Sequence, residues 1–267
     1  MLLNGELGVP YAVSVHGLDA FSTVQVTGRA GEWCRRISQR VFRSAARVIC
    51  VSERVREQVL EGAKCHTSVI YNGVDPTLFA PAVELPAVPT ILSVGNLIPI
   101  KGHDLLLRAI ASLLPSFPLL ECEIIGDGPE RNHLQTLTNK LQIADRVHFR
   151  GRQSRAQVAQ AMTRCTVFAL PSRYEALGCV YLEAMSAGKP VIGCRGQGIA
   201  EVIEHGRNGL LVSPDNEKQL TLAISTLLRE ETMRRQIGLA ARYTVLNGFT
   251  LVQQAENLLQ IYQECAP

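Results

Sequence analysis

The chain has 267 residues, 46% of them hydrophobic and 19% charged, the usage of an ordinary globular protein, which excludes disorder and low-complexity tracts. Its net charge is only +3, no uninterrupted apolar run reaches the roughly 18 residues that span a bilayer, and Met1 to Pro10 carries Asn4, Gly5 and Glu6 instead of a basic-then-apolar signal; the expected location is cytoplasmic. Eight scattered cysteines (34, 50, 65, 122, 165, 179, 194 and 265) form no C-x-x-C pair and no zinc-ligand spacing, so reduced, mostly buried thiols and no metal are expected.

In chain order, short β-branched runs alternate with helical patterns. The first predicted strand, 11–15, ends in Val13-Ser14-Val15-His16-Gly17, which puts His16 at a strand terminus. The charge is uneven after it: Arg29 to Lys64 holds nine Lys and Arg against four Asp and Glu. Such a basic helical stretch is either a solvated face or a contact for an acidic partner or for anionic lipid at the inner face of a membrane. It has few aromatics for base stacking, so no nucleic-acid partner is expected. Strands at 48–51 and 68–71 follow.

Pro81, Pro86 and Pro89 then interrupt the pattern over 79–89, because proline resists both helix and central strand; the domain boundary is placed there. Beyond it come strands at 90–94, 121–125, 147–149, 167–170, 190–193 and 209–212. The intervening helices carry apolar stripes such as Leu105, Leu106, Ala109, Ile110 and Leu113. Strand then helix, repeated, predicts an α/β fold with parallel sheets, and the ligands of open parallel sheets bind at the carboxyl ends of the strands.

The segment from Pro171 to Ile192 follows one strand and precedes the next. Glu175 falls in its loop, a helix opens near Gly178, and Glu183 lies about one turn inside it. Eight residues apart, the two carboxylates are not an acid/base pair on one helical face. The loop and the helix N-terminus offer backbone N–H groups to a diphosphate, with a carboxylate on either side for sugar hydroxyls.

The pattern P-S-x-x-E-x-x-G-x-x-x-L-E-A-M-x-x-G-x-P-V resembles the signature of family 4 retaining glycosyltransferases. The likeness extends to Val94-Gly95-Asn96-Leu97 with Lys101-Gly102, to Ile125-Gly126-Asp127-Gly128-Pro129-Glu130, to Val147, Phe149 and Gly151, and to Tyr71-Asn72-Gly73-Val74-Asp75. It implies the GT-B fold: two Rossmann-like doubly wound domains, an incomplete N-terminal one at 1–82, a nucleotide-sugar-binding one at 83–248, and a helix at 249–267 crossing back. It implies a hexose-type transfer from a nucleoside-diphosphate sugar to a glycan or lipid-linked acceptor, with retention and without cofactor or metal, in polysaccharide biosynthesis.

By the same resemblance His16, Lys101 and Glu175 are catalytic. Lys101 faces the diphosphate with Gly95, Asn96 and Gly126 nearby, and the main chain through Leu177, Gly178, Cys179 and Val180 meets the distal phosphate. Glu175 meets the sugar, Glu183 the ribose, and Arg150 with Gly151 the base. Asn96 departs from the family's usual arginine, and the glycine-rich N-terminal loop of such enzymes has no match, which implies a truncated chain. The alternative is therefore a nucleotide-sugar-binding remnant without turnover. A donor epimerase of the same fold is a third reading, and a nicotinamide dehydrogenase is disfavoured because Gly126 to Gly128 lacks a third glycine.

Overall fold

The computed structural model describes residues 9–17, 28–82 and 88–266. The chain divides into two compact units, Met1–Gly73 with Leu251–Pro267, and Val74–Thr250.

In the first unit, β1 (Ala12–Val15), β2 (Arg47–Cys50) and β3 (Thr67–Val69) pair in parallel in the order β1-β2-β3, with Val13 opposite Val48 and Ile49 opposite Ser68. Two helices connect them, α1 (Gly28–Ser44) and α2 (Glu53–Gly62). Ser52 starts α2 by accepting a hydrogen bond from the Val55 amide, the expected job of a serine at that position. Ile49 and Ile70 are buried with Ile261 of the last helix, α9 (Leu251–Cys265), and the Gly73 amide donates to Gln254 Oε1 at 2.8 Å.

The second unit is a six-stranded parallel sheet in the order β6-β5-β4-β7-β8-β9. Its strands are β4 (Thr90–Val94), β5 (Glu121–Ile125), β6 (Val147–Gly151), β7 (Val167–Ala169), β8 (Val191–Cys194) and β9 (Leu210–Val212). The helices are α3 (His103–Leu113), α4 (Arg131–Lys140), α5 (Arg155–Arg164), α6 (Cys179–Ser186), α7 (Glu217–Arg229) and α8 (Glu231–Gly248). Ile91, Cys122, Ile124, Val167 and Ile192 of the strands pack with Leu106, Ile110, Leu220 and Ile224 of the helices, which is why strands flanked by helices read as continuous apolar runs. The nine strands of the described residues fall within two residues of their predicted positions.

The strand order reverses between β4 and β7. Connections on either side of that pair leave in opposite directions, so a crevice opens at their carboxyl ends.

The boundary differs from expectation. The units divide at Gly73/Val74 rather than near residue 82, because the chain that follows packs on the second unit: Val74 donates its amide to the Phe249 carbonyl at 2.9 Å, Phe79 is fully buried, and the Ser186 hydroxyl donates to the Phe79 carbonyl at 2.9 Å. Residues 83–87 of the proline-rich stretch lie outside the described residues.

Candidate donor site at the strand switch

Three loops leave the carboxyl edge of the larger sheet and are stitched to one another by main chain. The Gly95 amide donates to Ile125 O, the Leu97 amide to Asp127 O, and the Gly126 amide to Gly151 O, at 2.9 to 3.0 Å. Gly126 has φ +142°, and a Cβ there would stand 1.9 Å from the Gly95 carbonyl oxygen. Only glycine allows both that backbone conformation and that approach. The sequence-predicted Gly95, Asn96, Gly126 and Gly151 are thus gathered on one edge, with the Asn96 side chain exposed.

Lys101 ends a 3-10 turn, Pro99–Lys101, that joins β4 to α3. The turn is fastened to the loop after β7 by Arg173. Its amide donates to Ile100 O at 2.7 Å, its guanidinium donates to both Asp104 carboxylate oxygens at 2.9 Å and to the Pro99 carbonyl, and its Nε donates to Asp215 Oδ1 at 2.7 Å. A forked, planar donor satisfied this fully fixes orientation as well as distance. Burial pushes the Asp104 carboxyl up, but Arg173 outweighs it and holds the group below its ordinary range.

That fastening brings Lys101 Nζ to 2.6 Å from Glu175 Oε2, with only 18% and 10% of the two side chains exposed. Glu175 is held from three further directions. The Ser172 hydroxyl donates to Oε2 at 3.3 Å, the Glu175 amide donates to Gln197 Oε1 at 2.9 Å, and the Gly198 amide donates to the Glu175 carbonyl at 2.9 Å. Beneath the turn, His103 is buried within 3.4 Å of the Ser93 hydroxyl; burial and then the nearby Lys101 charge push its ring down to about 4, so it is a neutral support near neutral pH.

Gly178, at φ +86°, turns the chain into α6, where a Cβ would come within 2.6 Å of the Tyr181 ring. The first amides of α6 point along its axis toward the loop. Leu177 is 1% exposed, so only its main chain can meet a ligand; Val180 is half-buried and Cys179 exposed. Glu183, one turn on, has Arg155 Nη2 3.3 Å from its Oε1. Burial nonetheless pushes its carboxyl up to about 7, with Arg155 pulling the other way.

Arg150 is exposed at the far end of the edge, its Nε 3.2 Å from Glu123 Oε1. Between β6 and β7 lie three inter-strand steps, roughly 14 Å. An extended ligand can therefore touch Arg150 and Gly151 at one end and Glu175 at the other. His16 belongs to the first unit, is exposed, and has its Nε2 3.0 Å from Ser14 Oγ. Among the described residues no group of three or more His, Cys, Asp or Glu is placed to hold a metal ion.

Sequence reasoning passed over Arg173, Gln197 and His103. Arg173 occupies a variable position of the quoted pattern. Gln197 lies in the loop after β8, and the rule that ligands gather at strand ends points to that loop.

A doubly wound parallel sheet with its polar cluster at the switch point, accompanied by a second parallel α/β unit, is the GT-B architecture of glycosyltransferases. Comparison with known proteins agrees: the family described as Glycosyl transferases group 1 matches residues 79–244, and Glycosyltransferase Family 4 matches residues 1–78. The chain belongs to the group 1 glycosyl transferases, with the family 4 pattern in its N-terminal part. An uncharacterized glycosyltransferase of Methanocaldococcus jannaschii is 31% identical over 89% of this chain, which spans 64% of that relative's length. Sucrose-phosphate synthase from Thermosynechococcus elongatus superposes with TM-score 0.87 at 25% identity, over 98% of this chain and 69% of that one. The Anabaena HepE protein, in complex with UDP-glucose, superposes with TM-score 0.87 at 23% identity, over 98% and 74%.

Proposed function

We propose that this chain moves a hexose-type sugar from a nucleoside-diphosphate sugar to an acceptor, with retention and without a metal ion. The observation that carries the reading is the largely buried Lys101–Glu175 pair at the carboxyl edge of the strand switch. Departure of a nucleoside diphosphate concentrates negative charge on its distal phosphate, and a cation already oriented there lowers the barrier without having to reorganise. In this reading the diphosphate takes Lys101 and the main chain of Gly178 to Val180. Glu175 then turns to the sugar hydroxyls, Glu183 holds the ribose, and the base lies by Arg150 and Gly151. The role that the resemblance gives His16 is tested separately by His16→Ala.

HepE, whose structure holds UDP-glucose, shares the fold, and this supports a uridine donor as the first to test. A polysaccharide or lipid-linked acceptor is the class we propose, at the cytoplasmic face of a membrane. Among the described residues no helix is long and apolar enough to cross one. Peripheral contact through the basic segment is supported by α1, where Trp33 and Ile37, 65% and 44% exposed, stand among Arg29, Arg36, Arg40 and Arg43.

The test is incubation of the chain with UDP-glucose and a panel of acceptors in the presence of EDTA, with the product anomer read by NMR. Transfer with retained configuration is expected. A second reading, donor binding without turnover, is favoured by the uncharged Asn96 exposed beside the phosphate-facing lysine. Nucleotide binding with no transfer to any acceptor would assign it instead.

A further inference from the structure

The opposite, amino-terminal edge of the larger sheet carries a second polar recess. Thr166 leads into β7, Lys189 leads into β8, and the first turn of α8 adds Glu231, Arg234 and Arg235, around a cavity of about 290 Å3. Strands β7 and β8 separate it from the Lys101–Glu175 edge.

Three cations face one carboxylate there. Lys189 is 93% buried (7% exposed), its Nζ donates to the Thr163 carbonyl at 2.8 Å, and no carboxylate pairs with it among the described residues. A buried ammonium has three N–H groups, and a single carbonyl leaves two of them and the charge uncompensated, an expensive arrangement unless an anion completes it. Thr166 is similarly prepared: its hydroxyl oxygen accepts from the Thr90 amide at 3.0 Å, which leaves its own proton to donate. Arg234 is anchored through Nη1, which donates to Leu227 O at 2.9 Å and Leu228 O at 3.2 Å, while its other nitrogens are unused by those bonds. Arg235 is exposed at the rim.

We propose that this recess is a second ligand site, for the phosphoryl group of a small anion. Lys189 and the Thr166 hydroxyl form its floor, Arg234 and Arg235 its wall, and Glu231 is available to accept from a hydroxyl of the same ligand. Capping of helix ends accounts for the carbonyl contacts of Lys189 and Arg234, since Thr163 ends α5 and Leu227 and Leu228 end α7. It leaves unexplained the recess itself, the surplus of charge and Arg235. Burial lowers the Lys189 pKa, and a bound anion reverses that shift.

The experiment titrates the whole chain with inorganic phosphate and with a hexose phosphate at fixed ionic strength, following backbone amides by NMR. Saturable shifts are expected at 166, 189–191 and 231–235. They should persist in Lys101→Ala and weaken about tenfold in Arg235→Ala, which removes an exposed side chain and leaves the fold intact. Sedimentation with vesicles containing phosphatidate, dependent on Arg235 while the soluble phosphates have no effect, would identify a lipid headgroup as the source of the phosphoryl group. The proposal is overturned by non-saturating shifts, by shifts confined to 95–101 and 172–178, or by equal affinity in the Arg235 variant.

Discussion

The loop that carries Glu175 and the helix that carries Glu183 are eight residues apart and present the same side chain in opposite surroundings. Glu175 receives two donors on its carboxylate, the Lys101 ammonium at 2.6 Å and the Ser172 hydroxyl, while its amide donates to Gln197 Oε1 and its carbonyl accepts from the Gly198 amide. Glu183 is mainly desolvated, with one exposed arginine at 3.3 Å, and its carboxyl is pushed up to about 7. The first arrangement holds a geometry; the second leaves a carboxyl whose charged form burial disfavours. In the function proposed above, two carboxylates so placed would divide an extended ligand between them.

The comparison can be broken at its strong end first. Replacing Lys101 by Ala should lower kcat of transfer by about 10²–10³-fold, the usual effect of removing one preorganised donor from a developing charge, while the far-UV circular dichroism stays unchanged. A rise in KM with kcat unchanged would instead make Lys101 a ground-state anchor.

At the other end, Glu183 sets a pH dependence. Its folded pKa is raised above the ordinary carboxyl value, so the folded chain keeps a proton that the unfolded chain releases. The stability this contributes is full below about pH 4.5 and lost as pH rises through about 7, on the order of 3 kcal/mol across the window. Urea unfolding of Glu183→Gln should therefore be flatter in that range and more stable than the parent above pH 7. Parallel curves for the two proteins would show that Glu183 is not desolvated. The same ionisation acts on binding with the opposite sign: if the Glu183 carboxylate accepts from ligand hydroxyls, nucleotide affinity should rise as pH passes 7 in the parent and not in the glutamine variant.

Smaller effects test the scaffold. Gly126→Ala forces a Cβ toward the Gly95 carbonyl at a positive φ, and a loss of about 1–3 kcal/mol in chemical denaturation is expected. Arg150→Ala removes an exposed pair with Glu123, and stability should change by less than about 1 kcal/mol. A weaker response to the base of the bound nucleotide, read by comparing UDP, GDP and ADP, would be its main consequence.

Strands β2, β4, β7, β8 and β9 were legible because each is a short apolar run buried on both faces, and such runs have few other ways to fold. The chain-order reading also placed the glycines of the strand-end loops, since Gly126 and Gly178 are dictated by backbone. Proline marks where regular structure ends, whereas the division into compact units at Gly73/Val74 depends on which core takes Phe79, and that is a matter of tertiary packing. Arg173 was invisible for a related reason: its partners Asp104 and Asp215 lie 69 and 42 residues away, and no local spacing announces a clamp that the fold assembles.

The central claim is that Lys101 and the Gly178 loop form a nucleoside-diphosphate site, and calorimetric titration of the full chain and of Lys101→Ala with UDP, GDP and ADP tests it most directly. The account predicts saturable binding of one diphosphate, weakened at least about tenfold by the substitution, with the corresponding nucleoside much less affected. A folded chain that binds none of the three, or binds one equally well without Lys101, would contradict it.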